Sequence, residues 1–219
     1  MLKILAATAV ATLGLVGAAH ASTVTFDEYE HGDIITSLDL AYGVTATVTA
    51  NGRSNSSPDQ AWIFDTTLDN TADPDLEGPF TTDGLKFGHI AGRALIVQEH
   101  GGVPDDDGNG GWIKFSFSRA VTFLGFDFLD DEDVVARDNN GNKIVVGQPA
   151  GKAYDNYVTS SGLLAWENVT QLKFNFGKDS GAIDNLHFEI APVPVPASLP
   201  LLLAGVAGFG VMSRRRKKA

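Results

Sequence analysis

The sequence contains no cysteine among its 219 residues. Disulfide frameworks, thiol nucleophiles, iron–sulfur centres and zinc–thiolate sites are therefore excluded, and stability has to come from packing or from a metal with other ligands. The chain also lacks amphipathic stretches of helical period longer than two turns, which argues against a helical fold. For this length we expect one domain of ordinary size.

Positive charge is scarce in the middle of the chain. Six of the sixteen bases lie near the ends, at Lys3 and within 214–218, whereas all twenty-seven acids lie between them. The segment 22–191 therefore carries ten bases and a formal charge of about −17. Such a surface repels nucleic acid and attracts cations, so the sequence predicts no nucleic-acid partner.

Residues 1–21 have the pattern of a secretory signal peptide. They read MLKILAATAVATLGLVGAAHA, with one positive charge, an apolar stretch and the small residues Ala19 and Ala21 on either side of His20. The pattern predicts export by Sec-type machinery and cleavage after Ala21 by signal peptidase, with a retained membrane anchor as the alternative.

The C-terminal segment 192–219 has a proline motif, an apolar run at 197–212 and a basic cluster at 214–218. The sixteen residues of the apolar run would form a helix of roughly 24 Å, somewhat short of a hydrocarbon core of ~30 Å. We predict a single transmembrane helix that spans with help from flanking residues. The basic cluster should stay cytoplasmic, which leaves the domain 22–191 outside the cytoplasm.

The segment begins with a proline motif, formed by Val193, Pro194, Val195, Pro196 and Ala197. Near its end it has an arginine cluster, formed by Arg214, Arg215 and Arg216. This order resembles the PEP-CTERM class of sorting signals in its V-P-x-P-A variant, although Val195 stands where Pro-Glu-Pro has glutamate. The resemblance implies recognition by an exosortase-type membrane transpeptidase and delivery to the cell surface or the exopolysaccharide (biofilm) matrix of a Gram-negative bacterium. A plain membrane anchor is the alternative.

Between the ends the hydrophobic pattern has period two. Apolar and polar residues alternate in GVTATVTANG, in WIKFSFS and in VTQLKFNFG, whereas AVTFLGFDFL is apolar on both faces, as in a strand that is covered twice. With TVTF, RALIVQE, NKIVV and DNLHFEI this gives eight to ten strands, and Asn140-Gly141 predicts a tight hairpin with positive φ at both residues. The expected fold of 22–191 is all-β, a single jelly-roll-like β-sandwich.

Acids gather in the loops. Asp105, Asp107 and Asn109 alternate before Gly110, as in the first half of an EF-hand, but the twelfth position is Ser116 and a strand follows. We therefore predict a calcium site that draws on this loop and on acids from elsewhere, with solvated loops as the alternative. Its candidate ligands are Asp73, Asp75, Glu99, Asp105, Asp107 and Asn109.

A second cation is predicted between Asp27, after the first strand, and Asp184, at the start of the last. The first and last strands of a sandwich are often neighbours, which would bring these two carboxylates together. A turn-capping role for each aspartate is the alternative.

Trp112 is the candidate ligand-binding residue. It adjoins the glycine-rich acidic loop and points away from Ile113, so we expect it to be exposed and able to stack on a sugar ring, whereas Trp62 and Trp166 lie beside apolar runs and are expected in the core. The histidines are scattered and form no His-x-x-x-His motif, so we expect a non-catalytic protein. A glycoside hydrolase with paired carboxylates is the alternative.

The body of the chain carries a second resemblance, in the segments IFDTTLDNTADPDLEGPF, ALIVQEH, PDDDGNGGWIKFSFS, FLGFDFLDDED and GAIDNLHF. In this order they resemble a recurrent ectodomain of exported bacterial proteins with sorting tails, and more loosely the jelly-roll sandwiches of carbohydrate-binding modules. The resemblance implies no established reaction. The expectation is an exported surface or matrix protein that is stabilised by calcium and binds polysaccharide.

Overall fold

The computed structural model describes residues 20–82, 85–89, 91–129, 133–147, 157–159 and 164–192. In these residues the backbone forms thirteen strands, two 3₁₀ turns at Ala41–Gly43 and Pro74–Leu76, and no α-helix. The strands are β1 (His20–Val24), β2 (Ser37–Asp39), β3 (Thr45–Gly52), β4 (Ala61–Asp65), β5 (Phe80–Thr82), β6 (Leu85–His89), β7 (Arg93–Val97), β8 (Gly111–Leu129), β9 (Val134–Asp138), β10 (Lys143–Val146), β11 (Tyr157–Thr159), β12 (Trp166–Asn175) and β13 (Ala182–Ile190). The predicted all-β class is confirmed.

Eleven of the strands belong to one hydrogen-bonded antiparallel sheet. Its main path is β10-β9-β12-β8-β13-β7-β4, while β1 pairs with β13, β3 and β11 pair with β8, and β2 pairs with β3. β5 and β6 form a separate two-stranded sheet. The first and last of these strands are neighbours, as expected, with Val24 opposite Leu186.

β8 is the longest strand, with 19 residues. The sequence predicted two strands here, and that prediction is wrong, because the backbone stays extended through the exposed residues Ser118 and Ala120. The first half of β8 pairs with β3, the second half pairs with β13 and β11, and β12 pairs with both halves, with register shifts between Trp166 and Gln171. Between the halves, the Arg119 guanidinium donates a hydrogen bond to the carbonyl of Ala191 at 3.0 Å.

The main hydrophobic core is rich in phenylalanine. Phe174 lies near its middle, with ring centroids 4.7 Å from Phe126, 5.9 Å from Phe115 and 6.2 Å from Phe123. Buried rings of this kind supply much of the apolar area that stabilises a fold. The alternation in WIKFSFS and VTQLKFNFG predicted the inward residues correctly, since all of them are buried: Ile113, Phe115, Phe117, Leu172, Phe174 and Phe176.

The turn between β9 and β10 is the hairpin that Asn140-Gly141 predicted. Lys143 lies opposite Arg137, and the Asp138 carboxylate accepts hydrogen bonds from the backbone N–H groups of Asn140 and Asn142 at 2.9 and 2.8 Å. Positive φ occurs at Gly141 (92°) but not at Asn140, so that part of the prediction is wrong. The turn is longer than a two-residue loop, and one residue in the left-handed region is enough to close it.

Replacing Gly141 by alanine tests this turn. No atom would lie within 4 Å of the added methyl group, so only the left-handed backbone opposes the substitution. We expect Gly141→Ala to lower the free energy of unfolding by about 1 kcal/mol in chemical denaturation. Gly108→Ala is the matched control, because Gly108 also has open space but no positive φ; an equal loss in both variants would contradict the explanation.

The two predicted targeting segments fall almost entirely outside the described residues. The signal peptide 1–21 enters the structure only through His20 and Ala21, which begin β1. The proline motif, the predicted helix at 197–212 and the basic cluster all lie beyond residue 192, where the description ends. Within the part of the chain that the structure describes, no helix is long and apolar enough to span a membrane.

Candidate functional site

The loop between β7 and β8 is held in place by buried polar groups. Gln98 is fully buried, and its side-chain amide donates hydrogen bonds to the carbonyls of His100 at 2.5 Å and Val103 at 2.7 Å. The backbone N–H of Glu99 donates to the carbonyl of Asp105 at 2.9 Å. These bonds bring the two ends of the 99–105 segment together.

As a result, three titratable side chains converge at this loop. The ligand atoms of Glu99, His100 and Asp105 all lie within 4.8 Å of one another, and His100 Nδ1 is 3.4 Å from Asp105 Oδ2. Burial raises the pKa of Asp105, and the neighbouring charge of Glu99 raises it further. Two of the predicted calcium ligands therefore meet here, together with a histidine that the sequence did not indicate.

Asp73 and Asp75 lie next to the same loop. Asp73 is 3% exposed, and its Oδ2 accepts a hydrogen bond from the backbone N–H of Asp106 at 3.1 Å. Burial raises the pKa of Asp73 to about 8, and a hydrogen bond with Asp75 adds to the effect. The charge of Asp75 also raises the pKa of Asp105. We call Asp73, Asp75, Glu99 and Asp105 the loop acidic group.

Asp107 and Asn109 are not brought into the loop acidic group. Asp107 is 2% exposed, and its carboxylate accepts hydrogen bonds from the backbone N–H groups of Arg53 at 2.7 Å, Ser54 at 2.8 Å and Asn109 at 3.0 Å. The side chain of Asn109 is exposed. Asp107 therefore holds two stretches of backbone together.

The second predicted pair, Asp27 and Asp184, lies where β1, β8 and β13 meet. Asp184 is 1% exposed and lies directly opposite Asp127 of β8. Burial raises the pKa of Asp184 to about 8, with smaller contributions from the charges of Asp127 and Asp27. We call Asp27, Asp127 and Asp184 the strand acidic group.

Asn185 connects the two buried carboxylates of this group. Its side-chain amide donates to Asp127 Oδ2 at 2.7 Å and to Asp184 Oδ2 at 3.1 Å. Its backbone has a φ of 47°, a conformation that asparagine tolerates better than most residues. Asp27, by contrast, is exposed, and its Oδ1 accepts a hydrogen bond from the backbone N–H of Arg93 at 3.1 Å. The sequence did not indicate Asp127 or Asn185, because strand register cannot be read from alternation alone.

The two acidic groups differ in exposure, since Glu99 and Asp105 of the loop acidic group are partly exposed. Asp127 and Asp184 are both buried, so a saccharide cannot reach them. A separate pocket of about 150 Å³ is lined by residues that include two other acids, Glu167 and Glu189, and the amide Asn168. Its volume is below the roughly 300 to 1,000 Å³ of typical ligand sites.

Trp112 lies on the solvent-facing side of the sheet, on β8. It is partly exposed, with Asn51 of β3 and Asn175 of β12 directly opposite on either side. The Nζ atoms of Lys173 and Lys114 lie 4.3 and 5.8 Å from the centre of its ring. Trp62 and Trp166 are also partly exposed, but they pack against the two hydrophobic clusters.

No protein-family model matches this chain, and no curated protein matches it at a significant level.

Proposed function

We propose that this chain is an exported, non-catalytic protein of the cell surface or the exopolysaccharide matrix, sorted by an exosortase-type transpeptidase, stabilised by calcium and able to bind polysaccharide. The export and sorting steps are supported by the sequence patterns of 1–21 and 192–219. The binding role is supported by the side chains on the open face of the sheet.

The observation that carries the binding role is the position of Trp112. A flat ring on a regular strand, flanked by the amides of Asn51 and Asn175, offers an apolar face with hydrogen-bonding groups beside it. Sugar rings present the complementary pattern of C–H faces and hydroxyl edges. A flat sheet face admits a long polymer, which a closed pocket would exclude.

We also propose that the eleven-stranded sheet closes on itself as a jelly-roll-like sandwich. β3 pairs with the first half of β8 and β13 with the second half, while Phe115 from the first half and Phe123 from the second belong to one buried cluster. Long strands that pass between two packed layers at a bend are a feature of such folds.

Calcium is proposed because buried carboxylates are costly unless a positive charge compensates them. The strand acidic group places Asp184 against two further carboxylates, and the loop acidic group places four acids together. An all-oxygen environment suits calcium better than zinc or copper. The strand acidic group offers oxygen ligands alone, whereas the loop acidic group has His100 beside it and is the group in which three ligand atoms lie within 4.8 Å of one another.

The binding role is tested by substitution at Trp112, with a panel of neutral and acidic polysaccharides and isothermal titration calorimetry. We expect Trp112→Leu, which keeps apolar bulk but removes the flat ring, to weaken binding about tenfold. Trp112→Phe, which keeps a flat ring, should lose much less. Equal affinity in both variants and the unaltered chain would contradict stacking, and release of reducing ends from any polysaccharide would contradict a non-catalytic role.

A further inference from the structure

Four basic side chains stand next to one another across four strands. Lys143 of β10 lies opposite Arg137 of β9, Arg137 lies opposite Lys173 of β12, and Lys173 lies opposite Lys114 of β8. Directly opposed residues share one face of the sheet, with Cβ atoms ~4.5 to 5.5 Å apart. We call these four residues the cationic row; they are four of the ten bases in 22–191.

The cationic row has no acidic partner in the described residues. The ion pairs there involve Arg93 and His100, and none involves a member of the row. Asp138, the chain neighbour of Arg137, uses its carboxylate to hold the β9–β10 turn. On the same face of the sheet, a further row of directly opposed residues lies on each side of the cationic row, and neither contains an acid. One consists of Asn51, Trp112, Asn175, Val135 and Val145, and the other includes Thr47, Ser116 and Gln171.

Such an arrangement costs stability. Like charges that are directly opposed across strands repel each other, and the row contains three such pairs. Burial lowers the pKa of Lys173, and the charge of Lys114 lowers it further. In a chain with twenty-seven acids, a neutralising partner would be easy to supply.

Protection of a sheet edge does not explain the row. Lysine on an edge strand discourages pairing with other chains, and this explanation fits Lys143 on β10. Arg137, Lys173 and Lys114 lie on β9, β12 and β8, which all have neighbours on both sides. The row therefore crosses the interior of the sheet.

Trp112 extends the same surface. The ammonium groups of Lys173 and Lys114 lie 4.3 and 5.8 Å from its ring centre, which is within the range of cation–π attraction. This contact holds the two charges beside an aromatic face. A ligand that followed the row would meet Trp112 at the β12–β8 end.

We propose that the cationic row and Trp112 bind an anionic polysaccharide, one that carries carboxylates along a linear chain laid across the strands. This inference deepens the proposed polysaccharide-binding function and rests on it. Adjacent strands are ~4.8 Å apart, so the four cations form a line of roughly 14 Å with one charge per strand. Arg137 can hold a carboxylate with two parallel hydrogen bonds, while the lysines act as point charges.

Charge density favours an acidic glycan over nucleic acid. Duplex DNA has one negative charge per ~1.7 Å, much denser than the cationic row can match. The remainder of 22–191 has twenty-seven acids and six bases outside the row, an excess of twenty-one negative charges, and repels such a polyelectrolyte most strongly. A glycan with one carboxylate per sugar has a charge spacing closer to that of the strands.

The test uses the full chain in neutral detergent with EDTA present, so that calcium cannot bridge acids on the two partners. The probe is polygalacturonate, and dextran is the neutral comparison. We expect binding of polygalacturonate that weakens steeply as sodium chloride is raised, and little binding of dextran. Lys173→Gln should weaken binding about tenfold. Lys178→Gln is the matched control, because Lys178 is exposed in the β12–β13 turn, and it should change binding less than about twofold.

Arg137→Thr distinguishes a role in binding from a purely structural role, because the two roles predict opposite changes in Tm. It removes two opposed like-charge pairs, so we expect it to raise Tm by about 2 °C while weakening polygalacturonate binding. A residue that only supported the fold would lower both.

The outcomes are distinguishable. If dextran binds as well as polygalacturonate and Lys173→Gln has no effect, while Trp112→Leu does, the cationic row is overturned and the proposed function stands. If no polysaccharide binds, both are overturned. Equally tight binding of a deoxythymidine oligonucleotide or of phosphatidylserine vesicles, with the same dependence on Lys173, would overturn the assignment of a glycan.

Discussion

Without divalent cations, the free energy of unfolding is expected to fall as the pH rises from about 5 to about 9, and calcium is expected to restore it at the alkaline end. Burial raises the pKa values of Asp184 and Asp73 to about 8, from ordinary values near 3.8. Asp127 and Asp27 face the first carboxyl, and Asp75 and Asp105 face the second.

The sign follows from the protons that each state binds. Above about pH 4 the unfolded chain releases these two protons, whereas the folded chain keeps them until about pH 8. The folded state therefore binds more protons in this window, and stability decreases as the pH rises through it. We expect a decrease of about 3 kcal/mol or more, which corresponds to roughly 10 °C in Tm. Glu77, whose pKa is lowered by hydrogen bonds from Thr71, acts in the opposite direction but only in acid.

Calcium should remove much of this decrease, because a bound cation replaces the proton as the compensating charge. The measurement is thermal unfolding at pH 5, 7 and 8.5, with calcium and with EDTA. Asp184→Asn should be more stable than the unaltered chain at pH 8.5 in EDTA and should respond less to calcium. Asp179→Asn, at an exposed acid, should change neither quantity. A flat pH profile would contradict the burial argument, and an unchanged Tm with calcium at pH 8.5 would remove the metal from the account.

Asp107→Ala is expected to be among the most destabilising single substitutions in the loops, with a loss of about 3 kcal/mol or more. The carboxylate accepts three backbone hydrogen bonds and ties Arg53 and Ser54, which follow β3, to Asn109, which precedes β8. Removing it leaves the N–H groups of Ser54 and Asn109 without this acceptor, and the N–H of Arg53 keeps only its bond to the carbonyl of Gly110 at 3.2 Å. Asn109→Ala should cost less than about 0.5 kcal/mol, because that side chain is exposed.

Measuring the stability of Asp107→Ala with EDTA and with calcium separates two possible roles of Asp107. Chemical denaturation in EDTA reports the backbone bonds alone, so the full loss should appear there. If Asp107 were instead a calcium ligand, Asp107→Ala would be nearly neutral in EDTA and would lose stability only relative to the calcium-bound form. That second pattern would restore the half EF-hand that the sequence suggested.

Sequence alone predicted best the strands that have one face in the core and the other face in solvent. β3 alternates through 45–50 and β12 through 171–175, because every second residue there points into the core and the others point to solvent. β4 was missed, since all but one of its five residues are buried and no alternation remains. WIKFSFS and AVTFLGFDFL were counted as separate strands because their patterns differ, yet the chain stays extended from Gly111 to Leu129.

The candidate sites were predicted only where local chain geometry was enough. Glu99 and Asp105 were expected to meet because a strand end and a short loop bring them close, and they do. Asp127 and Asn185 depend on the register between β8 and β13, which carries a shift after Asp184. The cationic row is invisible in sequence for the same reason, because its members are separated by up to about sixty residues and are hidden in a strongly acidic composition.

The position of β13 has a consequence for the order of folding. It is the last strand, yet it supplies hydrogen-bond partners to β1, β7 and β8. β8 cannot acquire this neighbour until residues 182–190 have left the ribosome, and the same holds for β1, whose one partner among the described residues is β13. Pairings of such long sequence separation close slowly, so the nascent chain keeps these edges of β1, β7 and β8 unpaired until late in its synthesis. Any machinery that handles extended polypeptide has that whole interval in which to engage it.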